Sequence, residues 1–317
     1  MNDSRRGTKV AVVGMGAVGA AFAYAATIKG LTHTLALTNR TPERAEGEAM
    51  DLRHGLPFAY PMQIEAGGYE HCEGADIVIM AAGASQGANE TRLDLAGKNA
   101  EITKKLVGEV LKRNPDPILF FVANPVDVLT YVGLKESGLP KNQVFGSGTS
   151  LDSSRFRFLL SHHCGLDPRN IHAHVVGEHG DSEVALWSRV NVAGVALDEY
   201  CPVCGRGCDV KAKQRIFEDV RDAAYHVIEK KGETSYAIGL AMTSIVETVL
   251  KNQHSVHTVS TLMEGEYGIK DVCLSLPCVL GRGGVQKVIS TSLAGEEKKA
   301  LQHSASVLRE TLDSIGC

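Results

Sequence analysis

One histidine in this chain stands where the backbone can bring it against a ligand. His179 follows an apolar run and lies between two glycines, in the sequence GEHGDS at residues 177–182. Glycine lets the backbone approach a ligand closely, and a histidine can exchange a proton near neutral pH because its unperturbed pKa is about 6.5. A lone histidine is more often a surface or core residue, so a proton-transfer role depends on what other groups the chain offers.

A carboxylate and a guanidinium lie upstream at helical spacing. We expect a helix from Leu151 to Ser161 with Ser150 as its N-cap, and Asp152 and Arg155 then share one face of it. An aspartate can hold a protonated histidine, and an arginine can bind a planar carboxylate through two parallel hydrogen bonds. Considered alone, the two residues are equally compatible with an ion pair on the helix surface.

The N-terminal stretch predicts a dinucleotide site. An expected strand over 8–13 leads into the glycine motif GMGAVG, and an expected helix follows over 20–29. In such a motif the first glycine permits a tight turn, the second admits a pyrophosphate and the third lets helix and strand pack, while the helix N-terminus faces the phosphates. This position between strand and helix favours NAD binding over a purely structural turn. The predicted cofactor residues of the motif are Gly14, Gly16, Val18 and Gly19.

Strands and helices alternate through the first half of the chain. Further strands are expected at 34–38, 62–66, 77–81, 118–123 and 143–145. The alternation predicts a parallel, doubly wound sheet, in which ligands bind outside the carboxyl ends of the strands. Gly14, Asn39, Gly83 and Asn124 each follow a strand, so we expect all four to line one crevice.

The pattern changes after residue 148. Short strands are expected to mix with long helices near 211–231 and 234–252, and a C-terminal helix begins at about 295. We therefore predict an α/β fold, with an N-terminal Rossmann domain over 1–148 and a C-terminal mixed α/β substrate domain over 149–317.

Composition limits the class of protein. The 317 residues are 44% hydrophobic and 22% charged, as in a soluble globular enzyme, and the formal net charge of -4 argues against a nucleic-acid partner. No apolar run reaches the length of a membrane span, and the polar N-terminus lacks the apolar segment of a signal peptide. We expect a cytoplasmic protein without a membrane partner, whose eight cysteines are reduced thiols.

Three cysteines occur together in CPVCGRGC at 201–208. Cys201, Cys204 and Cys208 could bind zinc, but a structural zinc site needs a fourth ligand and no second C-x-x-C follows. The pattern therefore favours a thiol-bearing loop over a metal site, and no metal is predicted.

Several motifs occur in a characteristic order. After GMGAVG come AEGEAMDL (45–52), NETRLDL (89–95), ANPVD (123–127), LDSSRFR (151–157), GEHGDS and YGIKDVCLSLPCVLG (267–281). Together they resemble the L-lactate/L-malate dehydrogenase family, and most closely its bacterial L-lactate dehydrogenases. The resemblance runs from about residue 8 to the C-terminus and implies NAD-dependent chemistry on 2-hydroxy acids in a homotetramer.

The resemblance also implies roles for individual residues. His179 corresponds to the proton donor and acceptor, Asp152 to the carboxylate that holds it, and Arg155 to the residue that binds the substrate carboxylate. Arg92 corresponds to a lid arginine that polarises the ketone. Two further positions match residues of the pocket, namely Asn124 beside the nicotinamide and Thr234 beside the substrate.

Gln86, six residues before Arg92, bears on the choice of substrate. Malate dehydrogenases of this family have an arginine there, which meets the second carboxylate of oxaloacetate. A neutral glutamine leaves that carboxylate without a counter-charge, which favours pyruvate and L-lactate. Malate dehydrogenase is the alternative enzyme. A non-catalytic nicotinamide-binding sensor or structural protein is a more distant one, because His179, Asp152 and Arg155 are all present.

Arg157 and His172 match positions where bacterial members bind fructose 1,6-bisphosphate across a subunit interface. Arginine and protonated histidine are suitable phosphate partners. The alternative is a basic interface patch without a regulatory role.

The tip of the second expected strand departs from the family. NAD-preferring members carry an aspartate that binds the adenosine ribose, and this chain has Asn39 followed by Arg40. A neutral asparagine does not repel the 2′-phosphate of NADP, and an arginine nearby can accommodate it. We predict that NAD is used and that NADP is also accepted. The alternative is that Arg40 faces solvent and NAD remains dominant.

Overall fold

The computed structural model describes residues 7–84 and 91–317, apart from the side chain of Arg92. The strands are β1 (Lys9–Val13), β2 (Thr34–Thr38), β3 (Gln63–Gly67), β4 (Ile77–Met80), β5 (Ile118–Phe121), β6 (Val144–Gly146), β7 (Ile171–His172), β8 (Val175–Val176), β9 (Val184–Ala185), β10 (Asn191–Val192), β11 (Val195–Ala196), β12 (Ser255–Glu264), β13 (Lys270–Gly281) and β14 (Gly284–Val288). The helices are α1 (Ala17–Lys29), α2 (Pro42–Gly55), α3 (Arg92–Leu111), α4 (Val126–Ser137), α5 (Ser150–Cys164), α6 (Leu197–Cys204), α7 (Val210–Lys231), α8 (Tyr236–Leu250) and α9 (Gly295–Ser314).

The principal sheet has the order β3-β2-β1-β4-β5-β6-β12-β13-β14. The first six strands are parallel, and the order 3-2-1-4-5-6 is that of a doubly wound dinucleotide-binding sheet. Strands β1, β4 and β5 are almost entirely apolar and buried, as expected for parallel strands covered by helices on both faces. The predicted α/β fold with an N-terminal Rossmann sheet is confirmed.

The last three strands of the sheet come from the second half of the chain. They pair antiparallel, and β12 joins the parallel part through the pair Ser260–Gly146. β12 and β13 are ten and twelve residues long, so the expectation of only short strands after residue 148 is wrong. The sequence signal is weak because these long strands carry small polar residues such as Ser260 and Ser275, which are buried in the sheet.

Hydrophobic packing also crosses residue 148. One cluster joins Val78 of β4 to Leu274 of β13, and a second joins Ile79 of β4 to Met242 of α8. Helices α1 and α8 approach very closely, because a Cβ added to Gly239 would lie 2.9 Å from the backbone of Ala21. The third cluster, around Phe156, lies wholly within the second half of the chain.

The starts of three helices differ from the prediction. α1 begins at Ala17, three residues earlier than expected, and α8 begins at Tyr236, two residues later. Ser150 is the first residue of α5 rather than its N-cap, a position that Thr149 occupies. The Ser150 hydroxyl instead donates to the carbonyl of Thr258 at 2.8 Å, which ties α5 to β12. Within the described ranges, none of the helices combines the length and apolar character that a membrane span requires.

Candidate active site

His179 lies in the loop that joins β8 to β9, and its imidazole reaches the first turn of α5. Its Nδ1 lies 2.6 Å from Oδ2 of Asp152, and the other oxygen of Asp152 accepts a hydrogen bond from Nη1 of Arg155 at 2.8 Å. The Asp152 side chain is 3% exposed, against 26% for His179 and 16% for Arg155. One buried carboxylate therefore organises two cationic side chains that remain accessible at the surface of the crevice.

The electrostatics of this group favour a charged histidine. The charge of Asp152 raises the pKa of His179 to about 9, against the effect of burial. Burial alone raises the pKa of Asp152, but the charges of His179 and Arg155 outweigh it and leave that pKa below its usual value. At neutral pH the pair is an imidazolium bound to a carboxylate, which is the arrangement needed to donate a proton.

The backbone of the histidine loop is held by Asp127, which the sequence analysis did not select. Its Oδ2 accepts a hydrogen bond from the main-chain N–H of His179 at 2.7 Å. Burial raises the pKa of Asp127 to about 6. The only sequence signal is its place in ANPVD, 52 residues before His179. Asp127 therefore fixes the loop, whereas Asp152 fixes the ring.

Helix α9 supports the same loop. The hydroxyl of Ser304 accepts a hydrogen bond from the main-chain N–H of Glu178 at 2.7 Å. Gly177 has a φ of 89°, and a Cβ there would lie 2.7 Å from the Ser304 hydroxyl. Its main chain also pairs with Ser275 of β13. The histidine loop is thus clamped between β13 and α9.

Glu183 is a second residue that sequence analysis did not select. It is 7% exposed, and its ligand oxygen lies within 4.8 Å of those of Asp152 and His179. Burial and the charge of Asp152 raise the pKa of Glu183 to about 8, although His179 and Arg155 lower it. The three groups have metal-like spacing, but Arg155 already occupies one oxygen of Asp152. Among the described residues, Oε1 of Glu183 makes no hydrogen bond, so Glu183 adds a second buried carboxyl group near the imidazole without binding it.

The glycine motif bends as the dinucleotide hypothesis requires. Gly14 has a φ of 109°, and a Cβ there would lie 2.5 Å from the main chain of Ala82, while one on Gly19 would lie 2.1 Å from the carbonyl oxygen of Gly14. Gly16 is different, since a Cβ there would meet no atom within 4 Å. Gly14 and Gly19 are small for internal packing, whereas Gly16 presents bare backbone to open space.

The same loop fits the pyrophosphate of NAD. α1 begins directly after Gly16, which has no side chain to cap it, so the first N–H groups of the helix face the crevice. A helix N-terminus with free N–H groups is suited to a phosphate. Val18 is the second residue of the helix and is half-buried against the neighbouring core.

The predicted crevice residues lie close together along the sheet edge. Oδ1 of Asn39 accepts from the N–H of Met15 at 3.4 Å, which links the end of β2 to the glycine motif. Gly83 lies against Ala123, the neighbour of Asn124. Arg40 is exposed. Asn39 and its neighbours therefore form a continuous rim from β2 to β5.

Asn99 of α3 is a third residue that the sequence analysis missed. Its side chain donates to the carbonyl of Asn124 at 2.7 Å and to that of Ala84 at 3.2 Å, and it accepts from the N–H of Ala84 at 2.8 Å. It is 2% exposed. Asn99 thus clamps together the two loops that carry Gly83 and Asn124.

The other predicted substrate residues are Gln86, Arg92 and Thr234. Gln86 and the side chain of Arg92 lie outside the described residues. The backbone of Arg92 opens α3 behind a capping box, in which Thr91 and Asp94 exchange hydrogen bonds at 3.0 and 3.1 Å. Thr234 is half-buried in the link between α7 and α8.

The two residues predicted to bind an effector lie outside the His179 group. Nε of Arg157 donates to the carbonyl of Ala173 at 3.1 Å, and His172 is exposed on β7. Burial, together with the charges of Arg157 and His172, lowers the pKa of His174 to about 4. Arg157 is therefore hydrogen-bonded to the residue that lies between His172 and His174.

Comparison with known families matches nearly the whole chain. The NAD binding domain of the lactate/malate dehydrogenases matches residues 8–146, and their alpha/beta C-terminal domain matches residues 149–316. The chain therefore belongs to the lactate/malate dehydrogenase family, a class of NAD-dependent oxidoreductases.

Individual relatives are similar over their full length. The chain is 50% identical over 311 residues to L-lactate dehydrogenase 1 of Clostridium acetobutylicum, covering 98% of this chain and 99% of the relative. It is 46% identical over 315 residues to the L-lactate dehydrogenase of Acetivibrio thermocellus, covering 99% of both.

Two solved structures have the same fold. A lactate dehydrogenase from a Medee basin deep-sea metagenome library superposes with a TM-score of 0.96 at 40% identity, covering 98% of this chain and 100% of that one. A minor L-lactate dehydrogenase from Enterococcus mundtii, solved in a ligands-bound form, gives a TM-score of 0.94 at 40% identity, with coverages of 97% and 98%.

Proposed function

We propose that this enzyme is an L-lactate dehydrogenase that interconverts pyruvate and L-lactate with NAD(H). The observation that carries the proposal is the single buried carboxylate of Asp152, which holds both His179 and Arg155. The L-lactate dehydrogenases to which the chain is 46–50% identical support the same substrate. The malate alternative has no comparable support.

His179 supplies the proton in this reaction. Its Nδ1 faces Asp152 at 2.6 Å, so Nε2 is the nitrogen that can point to a carbonyl oxygen. In the direction of reduction the imidazolium donates its proton to the developing alkoxide, and in oxidation the neutral ring accepts it. The bound nicotinamide supplies or accepts the hydride. Asp152 keeps the ring charged and fixes its orientation.

Arg155 and Arg92 provide the positive charge for an anionic keto acid. A guanidinium has five N–H donors in a planar fork, so Arg155 can bind Asp152 and still hold the carboxylate of pyruvate. We assign Arg92 to the ketone oxygen, Gln86 to discrimination against a second carboxylate, and Asn124 and Thr234 to the walls of the pocket. Positive charge placed against the alkoxide stabilises the transition state more than the substrate.

A kinetic comparison tests the proposal. The purified enzyme is expected to oxidise NADH with a higher kcat/KM for pyruvate than for oxaloacetate, and His179→Ala to lower kcat at least ~100-fold while NADH binding survives. His226→Ala, at an exposed histidine of α7, is the matched control and is expected to leave turnover unchanged. A preference for oxaloacetate, or full activity in His179→Ala, would contradict the assignment.

An anionic effector is a second proposed feature. Arg157, which donates a hydrogen bond to the carbonyl of Ala173, and the adjacent His172 would bind fructose 1,6-bisphosphate where subunits of a homotetramer meet. Activation requires that the effector bind the active state more tightly than the inactive one. Addition of the bisphosphate is expected to lower the KM for pyruvate in the wild type but not in His172→Ala. An unchanged KM in the wild type would leave only a basic interface patch.

The remaining assignments concern cofactor choice and location. We propose that NAD is the cofactor and that NADP is also accepted, because the neutral Asn39 stands at the tip of β2 with the exposed Arg40 beside it. We also place the enzyme in the cytoplasm. This location is supported by its eight cysteines, which are all free thiols.

A further inference from the structure

A second carboxyl group lies buried beside the catalytic pair. Glu183 is the last residue of the histidine loop, directly before β9, and is 7% exposed. One of its oxygens, an oxygen of Asp152 and a ring nitrogen of His179 all lie within 4.8 Å of one another. Within the part of the chain that the structure describes, Oε1 of Glu183 has no hydrogen-bond partner. The proton transfer proposed above does not use this carboxyl group.

Hydrogen bonds decide which of the two carboxyl groups holds a proton. Both oxygens of Asp152 are bound, one to the ring of His179 at 2.6 Å and the other to Arg155 at 2.8 Å. A buried carboxylate oxygen without a hydrogen bond, such as Oε1 of Glu183, is unfavourable. Two carboxyl groups that share a site do not both ionise readily. Asp152 is therefore the carboxylate, and Glu183 is the carboxylic acid.

The charges around Glu183 come from three parts of the fold. Asp152 and Arg155 belong to α5, His179 belongs to the histidine loop, and Arg221 acts on the group from α7. Burial and the charge of Asp152 raise the pKa of Glu183 to about 8, although the three cations lower it. The proton state inferred from the hydrogen bonds is therefore the one that holds at neutral pH.

We propose that pyruvate binds tightly only while Glu183 is a neutral carboxylic acid, and that loss of its proton weakens the binding of this anionic substrate. With Glu183 neutral, Asp152, His179 and Arg155 together carry one positive charge, which attracts the single carboxylate of pyruvate. Ionised Glu183 cancels that charge. This role rests on the L-lactate dehydrogenase activity proposed above and adds to it a residue that sets substrate affinity through its charge.

The other titrating groups of the site change charge outside the range in which Glu183 does. Burial raises the pKa of Asp127 to about 6, and the charge of Asp152 raises that of His179 to about 9. Between about pH 7 and 8.5, Asp127 therefore stays ionised and His179 loses only a minor part of its charge. The imidazolium remains available as a proton donor while Glu183 ionises. In this range the affinity for pyruvate should fall before turnover does.

The test measures the binding of oxamate, an amide isostere of pyruvate with the same charge, to the full-length enzyme in the presence of NADH. The Kd of the wild type should rise about threefold between about pH 7 and 8.5, as expected when a bound anion favours the neutral acid about tenfold. The KM for pyruvate should rise in parallel while kcat stays constant. Binding should also take up roughly half a proton per site at about pH 8, measured by calorimetry in buffers of different ionisation enthalpy.

Three variants separate the charge of Glu183 from its shape. Glu183→Gln cannot ionise, so its Kd for oxamate should change less than about twofold over the same pH range, with little proton uptake. Glu183→Asp keeps an ionisable group and should keep both the rise in Kd and the proton uptake. Glu229→Gln makes the same change at an exposed position of α7 and is the matched control, which should behave like the wild type.

A purely structural role of Glu183 would change affinity equally at every pH. An equal rise of Kd in wild type and Glu183→Gln, or undiminished proton uptake in Glu183→Gln, would overturn the charge role. The wild type also decides alone: uptake should be greatest near about pH 8.5, and a maximum above about pH 9 would assign the proton to His179 instead. Failure of the L-lactate dehydrogenase assignment would look different, because the wild type would then prefer oxaloacetate to pyruvate at neutral pH.

Discussion

The nucleotide end and the catalytic end of the crevice depend on different interactions. At the nucleotide end, Gly14 and Gly19 allow the loop to pack tightly, and Gly16 leaves the N-terminus of α1 open. At the catalytic end, Asp152 and His179 are 27 residues apart in sequence, and their pairing depends on buried charge. The first end is a matter of steric fit within a single strand–loop–helix unit. The second is a matter of electrostatics between distant parts of the chain.

This difference predicts different responses to substitution. A substitution in the glycine motif should change stability, through steric clashes, and cofactor binding. A substitution in the charged group of Asp152, His179 and Arg155 should change kcat and its pH dependence. Four experiments separate the two kinds of effect, and they follow in order of expected size.

Asp152→Asn is expected to have the largest effect. The amide cannot stabilise the imidazolium and leaves the ring free to adopt the wrong tautomer, and an equivalent change in a histidine–aspartate pair costs ~10⁴-fold in kcat. The KM for pyruvate should also rise, because Arg155 loses the negative charge that holds its guanidinium in place. NADH affinity is expected to stay within twofold, as the glycine motif is untouched.

Asp127→Asn is the matched control for this substitution. Its amide oxygen can still accept the hydrogen bond from the His179 main-chain N–H, so we expect a loss in kcat below ~tenfold, about the size of one neutral hydrogen bond. Equal losses of kcat in Asp152→Asn and Asp127→Asn would mean that both carboxylates act by holding the His179 loop, and that Asp152 has no separate effect on the imidazole.

The second-largest effect is expected in the pH dependence of pyruvate reduction. Pyruvate reduction needs protonated His179, whose pKa is raised to about 9, so kcat/KM should fall ~tenfold per unit above that pH. In Asp152→Asn the fall should begin near the ordinary histidine pKa of about 6.5. Stability follows the same sign: a raised folded-state pKa contributes stability below about pH 6.5 that is lost as pH rises through about 9. A profile that does not move in Asp152→Asn would show that Asp152 does not set the pKa.

Two glycine substitutions test whether packing and cofactor binding are separate roles at the nucleotide end. Gly19→Ala places a Cβ 2.1 Å from the Gly14 carbonyl oxygen and should lower the free energy of unfolding by ~1–3 kcal/mol. Gly16→Ala meets no atom within 4 Å and should leave stability within ~0.5 kcal/mol while raising the KM for NADH. Thermal unfolding without cofactor, together with NADH titration, measures both. Similar stability losses in the two variants would remove the distinction between packing and ligand glycines.

Asn39→Asp should have the smallest effect. A charged acceptor contributes roughly 1.5–3 kcal/mol against about 1 for a neutral one, so NADH affinity should rise by up to ~tenfold and NADPH use should fall. The measurement is kcat/KM for both reduced cofactors in wild type and variant. Oδ1 of Asn39 also accepts from Met15 at 3.4 Å, a hydrogen bond that aspartate can keep. An unchanged ratio of the two cofactors would show that the tip of β2 does not set the choice.

Sequence predicts the nucleotide end better than the catalytic end for a physical reason. The glycine motif, β1 and α1 are neighbours in the chain, so their geometry follows from local sterics around Gly14 and Gly19. The pairing of His179 with Asp152 entered through family resemblance, since no local rule brings residues 27 apart together.

The sequence analysis missed those site residues whose role depends on contacts between distant parts of the chain. Asp127, Asn99 and Glu183 are ordinary polar residues until the fold buries them beside the site. The long strands β12 and β13 were missed because their buried small polar residues interrupt the apolar pattern.

The junction between β6 and β12 has a consequence for synthesis on the ribosome. Gly146 finds its partner Ser260 only after the intervening chain has emerged. At ~5–20 residues per second, the parallel sheet waits on the order of ten seconds with an unpaired edge. Such edges invite pairing with other chains, but β6 has only three residues and offers little to pair with. Its shortness protects the nascent chain until the second half arrives to cover it.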